Sequence, residues 1–387
     1  MIYGEKFLNI NNCTIDGNLL MIESDINAIN EIFKSEDMTF VNEVSIKEII
    51  STIFEKAKKI IINILEWIDK AQAFVSRKLA EFIYKLINFI RSNPEPKKDE
   101  KEVEEATLSE NMYTRRAATR HASEFNWGAT VLQGRSKPVR NDVNIKQVYD
   151  GRDIAILQEI NYKKIDSLIK NLEKGIIDYN AALVSYSDKC VSALINNNQN
   201  LSSIKNDEEE LEKKFKNFMS SIDDISKTKY EDICKKRNLF FGNSSTLKCC
   251  NEELIEHKKA VDNYSKYIKS LKGGLSEVKK FVSSQEAKFK QCSSSISDPD
   301  ASAEIKNISK NMISKTSEMI KLSLKGCSTI SAILNRSIVD IIKSSIIISD
   351  AIKGFQFNPA KFKNIAEESE TLLDSYVKYD PDQAKSN

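Results

Sequence analysis

A run of apolar side chains at helical spacing between Ser45 and Ser92 constrains the fold more than any other feature of the sequence. Along this stretch isoleucine, leucine, phenylalanine and alanine recur every three or four residues, which is the period of one face of an α-helix. Ser45 stands three residues before Glu48, as in a capping box at a helix start, and the proline of Ser92-Asn93-Pro94 supplies a stop. The sequence predicts a long amphipathic helix, or a helical hairpin that turns near Ala71-Gln72-Ala73.

This helix is basic as well as apolar, so more than one partner fits its apolar face. Between Ile46 and Arg91 there are nine basic and five acidic side chains. Such a face packs on the protein's own core or on a second subunit, lies in a membrane interface, or fills a groove in another protein. We favour the core or a helical partner. The candidate face for a membrane or partner helix consists of Ile53, Ile60, Ile64, Trp67, Phe82 and Leu86.

The rest of the chain predicts an all-α fold. Only 11 Gly and 6 Pro occur in 387 residues, and so few turn formers disfavour a sheet-rich protein. Helical periodicity returns at Asp153 and predicts long antiparallel helices that form an elongated bundle. The predicted helices cover about 153–195, 207–227, 247–291 with a kink at Gly273-Gly274, 301–353, and a last one ending near 379. The serine-rich fourth helix carries Lys321, Asp340 and Lys343, which favour a place in the bundle over a bilayer span.

Composition divides the chain into four predicted regions. Residues 1–92 hold an acidic segment, with a candidate hairpin at Asp16-Gly17 and a short helix near 24–33, followed by the amphipathic helical unit. Residues 93–110 form a charged linker with two prolines, typical of an extended solvated segment. Residues 111–152 form a basic arm without a clear period, and residues 153–387 form the long-helix bundle.

The basic arm contains six of the ten arginines in the chain. Guanidinium groups bind phosphates in a bidentate way, so the arm is a candidate for phosphate, nucleic-acid or partner contacts. Charge pairing with the acidic linker or the acidic N-terminus explains the same composition, and we favour that explanation. The candidate contact residues are Arg115, Arg116, Arg120, Arg135 and Arg140.

Residue types limit the chemistry open to this chain. His121 and His257 are the only histidines, and no phosphate-binding loop, dinucleotide-binding turn or metalloprotease motif occurs. The adjacent Cys249 and Cys250 lack the spacing of a zinc site, so we expect buried thiols. We therefore predict no catalytic residues, no metal, no cofactor and no enzymatic activity.

Seven cysteines without framework spacing indicate reduced thiols and synthesis in a cytosol. The acidic N-terminus does not look like a secretory signal. No stretch of 18 uninterrupted apolar residues occurs, so we expect no transmembrane helix.

The layout of the chain resembles that of internal, ejected or structural virion proteins of large tailed bacteriophages. The residues that carry the resemblance are a short acidic N-terminus, a basic amphipathic helix, the charged linker and a long helical body. The abundance of isoleucine, lysine, asparagine and serine is similar to that of phages of low-GC bacteria. Leu108-Ser109-Glu110 is similar to the sites that phage maturation proteases cut, which makes Glu110 a candidate processing site.

The resemblance implies a non-enzymatic virion protein that is made in the host cytoplasm. Such a protein would contact other virion components or itself, as an oligomer or coiled coil, and residues 111–152 would meet DNA. Two other classes stay open. One is a membrane-active α-helical toxin or effector that meets a membrane surface through residues 46–91, and the other is a cytosolic coiled-coil scaffold.

Overall fold

The computed structural model describes residues 20–22, 24–28, 43–92, 154–195, 201–240, 246–298, 302–354 and 359–378. Within these ranges the fold is all-α, as predicted, with one antiparallel pair of strands. The elements in chain order are α1 (Glu43–Ala73), a π-helical turn (Phe74–Leu79), α2 (Ala80–Ser92), β1 (Ile154–Ile160), α3 (Tyr162–Ile195), α4 (Leu201–Lys227), α5 (Tyr230–Ile233), β2 (Cys234–Phe240), α6 (Thr246–Ser297), α7 (Ala303–Gly354) and α8 (Pro359–Lys378).

Consecutive long helices run antiparallel. Helices α6 and α7 have 52 residues each, or about 78 Å at 1.5 Å per residue. They meet near their join through Cys292 and Met312, and at their far ends through His257 and Ser345. Helices α3 and α4 form a second antiparallel pair, in which Lys189 binds Asp207 beside the join. Helices that are joined by short connections pack side by side in this way.

Helix α7, the central helix, lies inside the bundle. It contacts α1, α3, α4, α6, α8 and β1. Between Met312 and Ser349 only Lys325 and Arg336 are exposed. A helix that is covered on most sides belongs in the core of a large protein or in a membrane. Here other helices of the chain cover it, which agrees with the prediction that this segment packs among helices, while the elongated bundle stays a prediction.

Residues 43–92, the opening helix, are one continuous helical segment. The predicted stop is confirmed, because α2 ends at Ser92. The alternative of a hairpin that turns near Ala71-Gln72-Ala73 is wrong, because these residues are regular helix and the chain continues through the π-helical turn Phe74–Leu79 without reversing. Helix α6 likewise runs through Gly273 and Gly274 without interruption.

The strand pair corrects two sequence predictions. We expected Ile154, Leu157 and Ile160 on one face of a helix that begins at Asp153, but these residues lie in β1, and α3 begins at Tyr162. Their spacing of three fits a helix template, yet their backbone pairs with a distant segment. Strand β2 lies between the predicted helices 207–227 and 247–291, and it pairs antiparallel with β1, from Ile154 opposite Phe240 to Ile160 opposite Cys234.

The second predicted helix begins earlier than expected. Helix α4 starts at Leu201 instead of Asp207. Ile204 is buried in the core, so an apolar contact of the first turn supports a helix start that the polar composition of this segment hides.

Two glycines allow close approach between helices. A Cβ atom on Gly326 of α7 would lie 2.6 Å from Leu172 Cδ1 and 2.7 Å from Ile222 Cδ1. A Cβ atom on Gly175 of α3 would lie 2.7 Å from the ring of Phe218. Both distances are too short for carbon atoms in contact. These glycines therefore set the spacing at which α3, α4 and α7 pack.

Near the N-terminus, residues 20–22 and 24–28 are helical. Ile22 and Ile26 are buried in the core. Asp25 binds Lys56 of α1 at 2.7 Å, which fixes this short segment on the opening helix. The candidate hairpin at Asp16-Gly17 lies outside the described residues.

Candidate functional site

The candidate membrane or partner face of the opening helix lies inside the protein. Five of the six predicted residues are at most 1% exposed, and Trp67 is partly buried against the same core. The five are Ile53, Ile60, Ile64, Phe82 and Leu86. In this conformation the face is covered by other helices of the same chain.

Aromatic contacts show which helices cover this face. Phe54 of α1 meets Phe289 of α6 edge to face, with 5.1 Å between ring centroids. The π-helical turn and α2 pack on α6 as well, and they also meet α8, through Phe74 with Tyr376 at 4.8 Å and Phe89 with Phe362 at 5.0 Å. Edge-to-face aromatic pairs add to the stability that burial alone provides.

Ion pairs between helices flank the buried stripe. Lys58 Nζ lies 2.7 Å from Glu286 Oε2, and Lys272 Nζ lies 2.5 Å from Asp69 Oδ1, so both pairs join α1 to α6. The hydrogen bond from Lys58 is the main cause that lowers the pKa of Glu286 below its usual value. The described basic side chains of the opening helix thus include some that hold its own bundle together.

The central helix carries a polar cluster beside the strand pair. Tyr230 Oη donates a hydrogen bond of 2.6 Å to Asp340 Oδ2, and Cys234 Sγ lies 3.9 Å from the same oxygen. The guanidinium carbon of Arg336 lies 4.0 Å above the ring centre of Tyr230, a cation–π geometry. Helix α5 and the start of β2 are in this way attached to α7.

Burial determines the protonation chemistry of this cluster. Desolvation raises the pKa of the Asp340 carboxyl above its usual value, against the opposing effects of Tyr230, Lys343, Arg336 and Cys234. Burial also raises the pKa of the Cys234 thiol to about 11 and strongly raises that of Tyr230. At neutral pH the thiol and the phenol therefore stay protonated and act as donors.

A second polar group on the central helix contains the described histidine. His257 Nδ1 lies 3.1 Å from Ser345 Oγ, and His257 Nε2 lies 3.8 Å from Glu253 Oε1. Serine, histidine and carboxylate in a row are the components of a hydrolase triad. Ser345 is 2% or less exposed, so a substrate cannot reach its hydroxyl in this conformation. The arrangement works as a polar link between α6 and α7.

The described thiols are buried. Cys190, Cys234, Cys250, Cys292 and Cys327 are free and lie in the core, in agreement with the expectation for Cys250, while the side chain of Cys249 lies outside the described part of the chain. Burial raises the pKa of Cys190, Cys292 and Cys327 to about 12. Only a thiolate is a good nucleophile or metal ligand, so these thiols are unreactive at neutral pH.

Other predicted positions lie outside the described residues. These are the linker, the candidate processing site Glu110 and the five arginines of the arm, namely Arg115, Arg116, Arg120, Arg135 and Arg140. In the part of the chain that the structure describes, no three His, Cys, Asp or Glu side chains come together so as to hold a metal ion.

Sequence reasoning missed both polar groups on the central helix. Tyr230 and Asp340 are 110 residues apart, and His257 and Ser345 are 88 apart. The available signal was the rarity of histidine and the presence of single charges in an apolar helix. Neither signal identifies the partner.

Comparison with known proteins finds no match for this chain. No family model matches it, and neither a curated protein nor a solved structure shows significant similarity to it. Among the described helices, none combines the length and the hydrophobicity that crossing a bilayer needs.

Proposed function

We propose that this chain is a non-enzymatic helical protein of a bacteriophage virion, which works by binding other virion proteins. The observation that carries the non-enzymatic part is the placement of its reactive groups. The described thiols and the Ser345–His257 pair lie inside the helical core, where they contribute to packing. A protein built in this way acts through its shape and its surface.

The virion part of the proposal is supported by the layout of the sequence. An acidic start, a basic amphipathic helix, a charged linker and a long helical body resemble internal and structural proteins of tailed phages. The basic arm 111–152 adds a candidate contact with packaged DNA, because arginine-rich segments bind phosphate backbones.

The packing of the opening helix makes the proposed processing step testable. A cut after Glu110 would divide the covalent chain between two segments that share one hydrophobic core. Because Phe54, Phe82 and Phe89 are buried against later helices, the fragment 1–110 would stay attached after the cut. Processing would then remove a covalent link and leave the assembly intact.

The deciding experiment is mass spectrometry of the protein from its natural source. We expect it in purified phage particles, at a constant number of copies per particle. Peptide mapping should find either an intact chain from Met1 or two chains divided after Glu110, and native mass spectrometry should find divided chains still bound to each other. Absence of the protein from washed particles would contradict the proposal.

The DNA contact needs a separate measurement. Titration of the full chain with duplex DNA should show an affinity that falls with salt, since counterion release dominates such binding. The triple variant Arg115→Gln, Arg116→Gln, Arg120→Gln should reduce both the affinity and the salt slope. Binding that the triple variant leaves unchanged would remove the arm from the proposal.

Membrane activity is the alternative that this proposal must exclude. The apolar stripe of the opening helix is covered in the structure, so binding to a bilayer would require its release. Co-sedimentation with anionic liposomes at low and physiological salt distinguishes the two functions. Strong binding by the folded chain at both salt concentrations would favour the membrane-active alternative.

A further inference from the structure

The strand pair is attached to the bundle through a small set of polar contacts that meet at Asp340. Tyr230 and Cys234, which contact this carboxylate, flank the base of the pair. The backbone N–H of Asn161 donates to the carbonyl of Ile233 at 2.7 Å, and Ile160 pairs with Cys234. Of the two residues that contact Asp340, Cys234 belongs to the strand pair itself, and Tyr230 lies in α5, which leads directly into β2.

Asp340 is an unusual anchor because it lies on an otherwise apolar part of the central helix. Its neighbours Ile338, Val339, Ile341 and Ile342 are buried. A carboxylate in such a place is stable only when hydrogen bonds and nearby cations compensate for its lost hydration. Tyr230 provides the short hydrogen bond, and Arg336, one turn earlier, lies over the Tyr230 ring.

The groups around this anchor come from several elements. Arg336 and Lys343 lie on the central helix itself, Tyr230 on α5 and Cys234 on β2.

Helix α6 supplies Tyr264, which is fully buried and interacts electrostatically with Asp340. The same helix also carries Glu253 and His257. Tyr162 of α3 packs on Tyr264, with 6.0 Å between ring centroids. The carboxylate and imidazole side chains among these groups, besides Asp340, are Glu253 and His257.

We propose that the Tyr230–Asp340 contact is a clasp that holds the strand pair on the central helix and that tightens in acid. In the clasped state the carboxyl is half-buried, and in the released state it is more exposed to water. Protonation of Asp340 removes the free-energy cost of burying its charge. The protonated carboxyl still has an oxygen that can accept the hydrogen bond from Tyr230. The clasp is independent of the proposed virion function.

The sign of the pH effect follows from the two states. Burial raises the pKa of Asp340 in the clasped state, so the clasped state binds a proton more strongly than the released state. The free energy by which Asp340 favours the clasped state is fully present below the pKa that this carboxyl has in the released state. It is lost as the pH rises through the pKa that the carboxyl has in the clasped state. Release of the strand pair is therefore favoured toward neutral pH.

Hydrogen exchange of the β1 and β2 backbone amides tests the clasp in the full chain. After correction for intrinsic exchange rates, the wild-type strand pair should be better protected at pH 5 than at pH 7.5. Tyr230→Phe removes the donor and leaves the carboxylate buried without it, so protection should fall about ten-fold. Asp340→Asn should keep the strand pair protected and remove the response to pH, although Glu253 and His257 are left unchanged.

Two control variants separate the clasp from general loss of stability. Tyr376→Phe deletes another buried phenol that binds the central helix, at 2.5 Å from Asn335, and should leave strand-pair protection unchanged. Glu318→Gln neutralises a different carboxylate with a raised pKa and should leave the pH response of the strand pair intact. Unchanged protection in Tyr230→Phe, or a full pH response in Asp340→Asn, would overturn the clasp. If Tyr230→Phe fails to fold, the Asp340→Asn measurement alone decides.

Discussion

The opening helix and the central helix are both long and rich in isoleucine, yet they occupy different environments. The opening helix buries one face and exposes the other. The central helix is covered on almost every side between Met312 and Ser349. What distinguishes them most in sequence is serine, because the central helix has ten serines beside twelve charged side chains, whereas residues 43–92 have four serines beside fifteen charged side chains.

Serine suits a central helix because its hydroxyl can bond within the helix. Ser331 Oγ donates to the carbonyl of Cys327 at 2.7 Å, and Ser337 Oγ donates to that of Ile333 at 2.9 Å. Neither bond needs a partner on a neighbouring helix. Lysine and glutamate, by contrast, require water or an ion pair. The type of polar residue therefore indicates how many sides of a helix are covered.

The largest expected effect tests whether the opening helix packs on its own bundle. Phe82 is 0% exposed, whereas Tyr84, two residues later, is 58% exposed. Phe82→Ala should lower the free energy of unfolding by about 3–5 kcal/mol, because it leaves a cavity. Tyr84→Ala, the matched control, should change it by about 0.5 kcal/mol or less. Urea denaturation followed by circular dichroism measures both.

Equal effects of Phe82→Ala and Tyr84→Ala would show that the stripe is not packed in solution. The opening helix would then be available to a membrane or to another protein. That result would mean that the opening helix, unlike the central helix, is not packed in the core.

An intermediate effect concerns the close approach at the central helix. Gly326→Ala would push its new methyl group against Leu172 and Ile222, and crowding in a packed core costs about 1–3 kcal/mol. Gly273→Ala, in α6, meets only Glu173 Oε1 at 3.7 Å. It should stabilise the protein by about 0.5–1 kcal/mol, because alanine is the better helix former. Thermal unfolding of the two variants should give shifts of opposite sign.

If Gly326→Ala stabilises the protein as much as Gly273→Ala does, the contact of α7 with α3 and α4 is looser than described. The central helix would then resemble the opening helix, with one face free to move.

The smallest expected effect is a difference in pH dependence between the two regions. The pKa of Glu286, which pairs with Lys58 of the opening helix, is lowered from 4.5 mainly by that hydrogen bond. The pKa of Glu318, on the central helix, is raised from 4.5 mainly by burial. Stability from Glu286 is present above pH about 4.5 and is lost as the pH falls through the folded-state pKa. The stability that Glu318 contributes is fully present below about pH 4.5, and it is lost as the pH rises through the pKa of Glu318 in the folded state.

Urea midpoints at several pH values between 4 and 7 separate the two carboxylates. Relative to wild type, Glu286→Gln should lose stability toward neutral pH, and Glu318→Gln should gain it. Parallel curves for the two variants would mean that the two glutamates occupy similar environments.

Local patterns predicted the helices well where each helix carries its own signals. Ser92-Asn93-Pro94 marked the end of the opening helix, and the break before Ala303 marked the start of the central helix. The strand pair was missed because β1 takes its structure from β2, which begins 74 residues after β1 ends. A spacing of three in a short apolar run cannot reveal that pairing.

The polar groups of the core were less predictable than the helices. Asp340 was recognised as a charge that belongs in a bundle, but its bond to Tyr230 depends on how α5 sits against the central helix. Periodicity identifies a buried face and gives no information about which distant side chain meets it. The candidate arginines and Glu110 lie outside the described residues, so they stay predictions.

The π-helical turn at Phe74–Leu79 determines how the opening helix tolerates changes of length. A π-helical turn accommodates about one residue more than an α-helical turn, and successive residues of an α-helix are about 100° apart around its axis. Deleting the exposed Ser76 would restore α-helical geometry and rotate α2 against α1 by about that angle. Either Phe54 or Phe82 would then turn away from the core. The exposed face of this helix can vary freely in sequence, but the number of residues between its two packed ends is fixed.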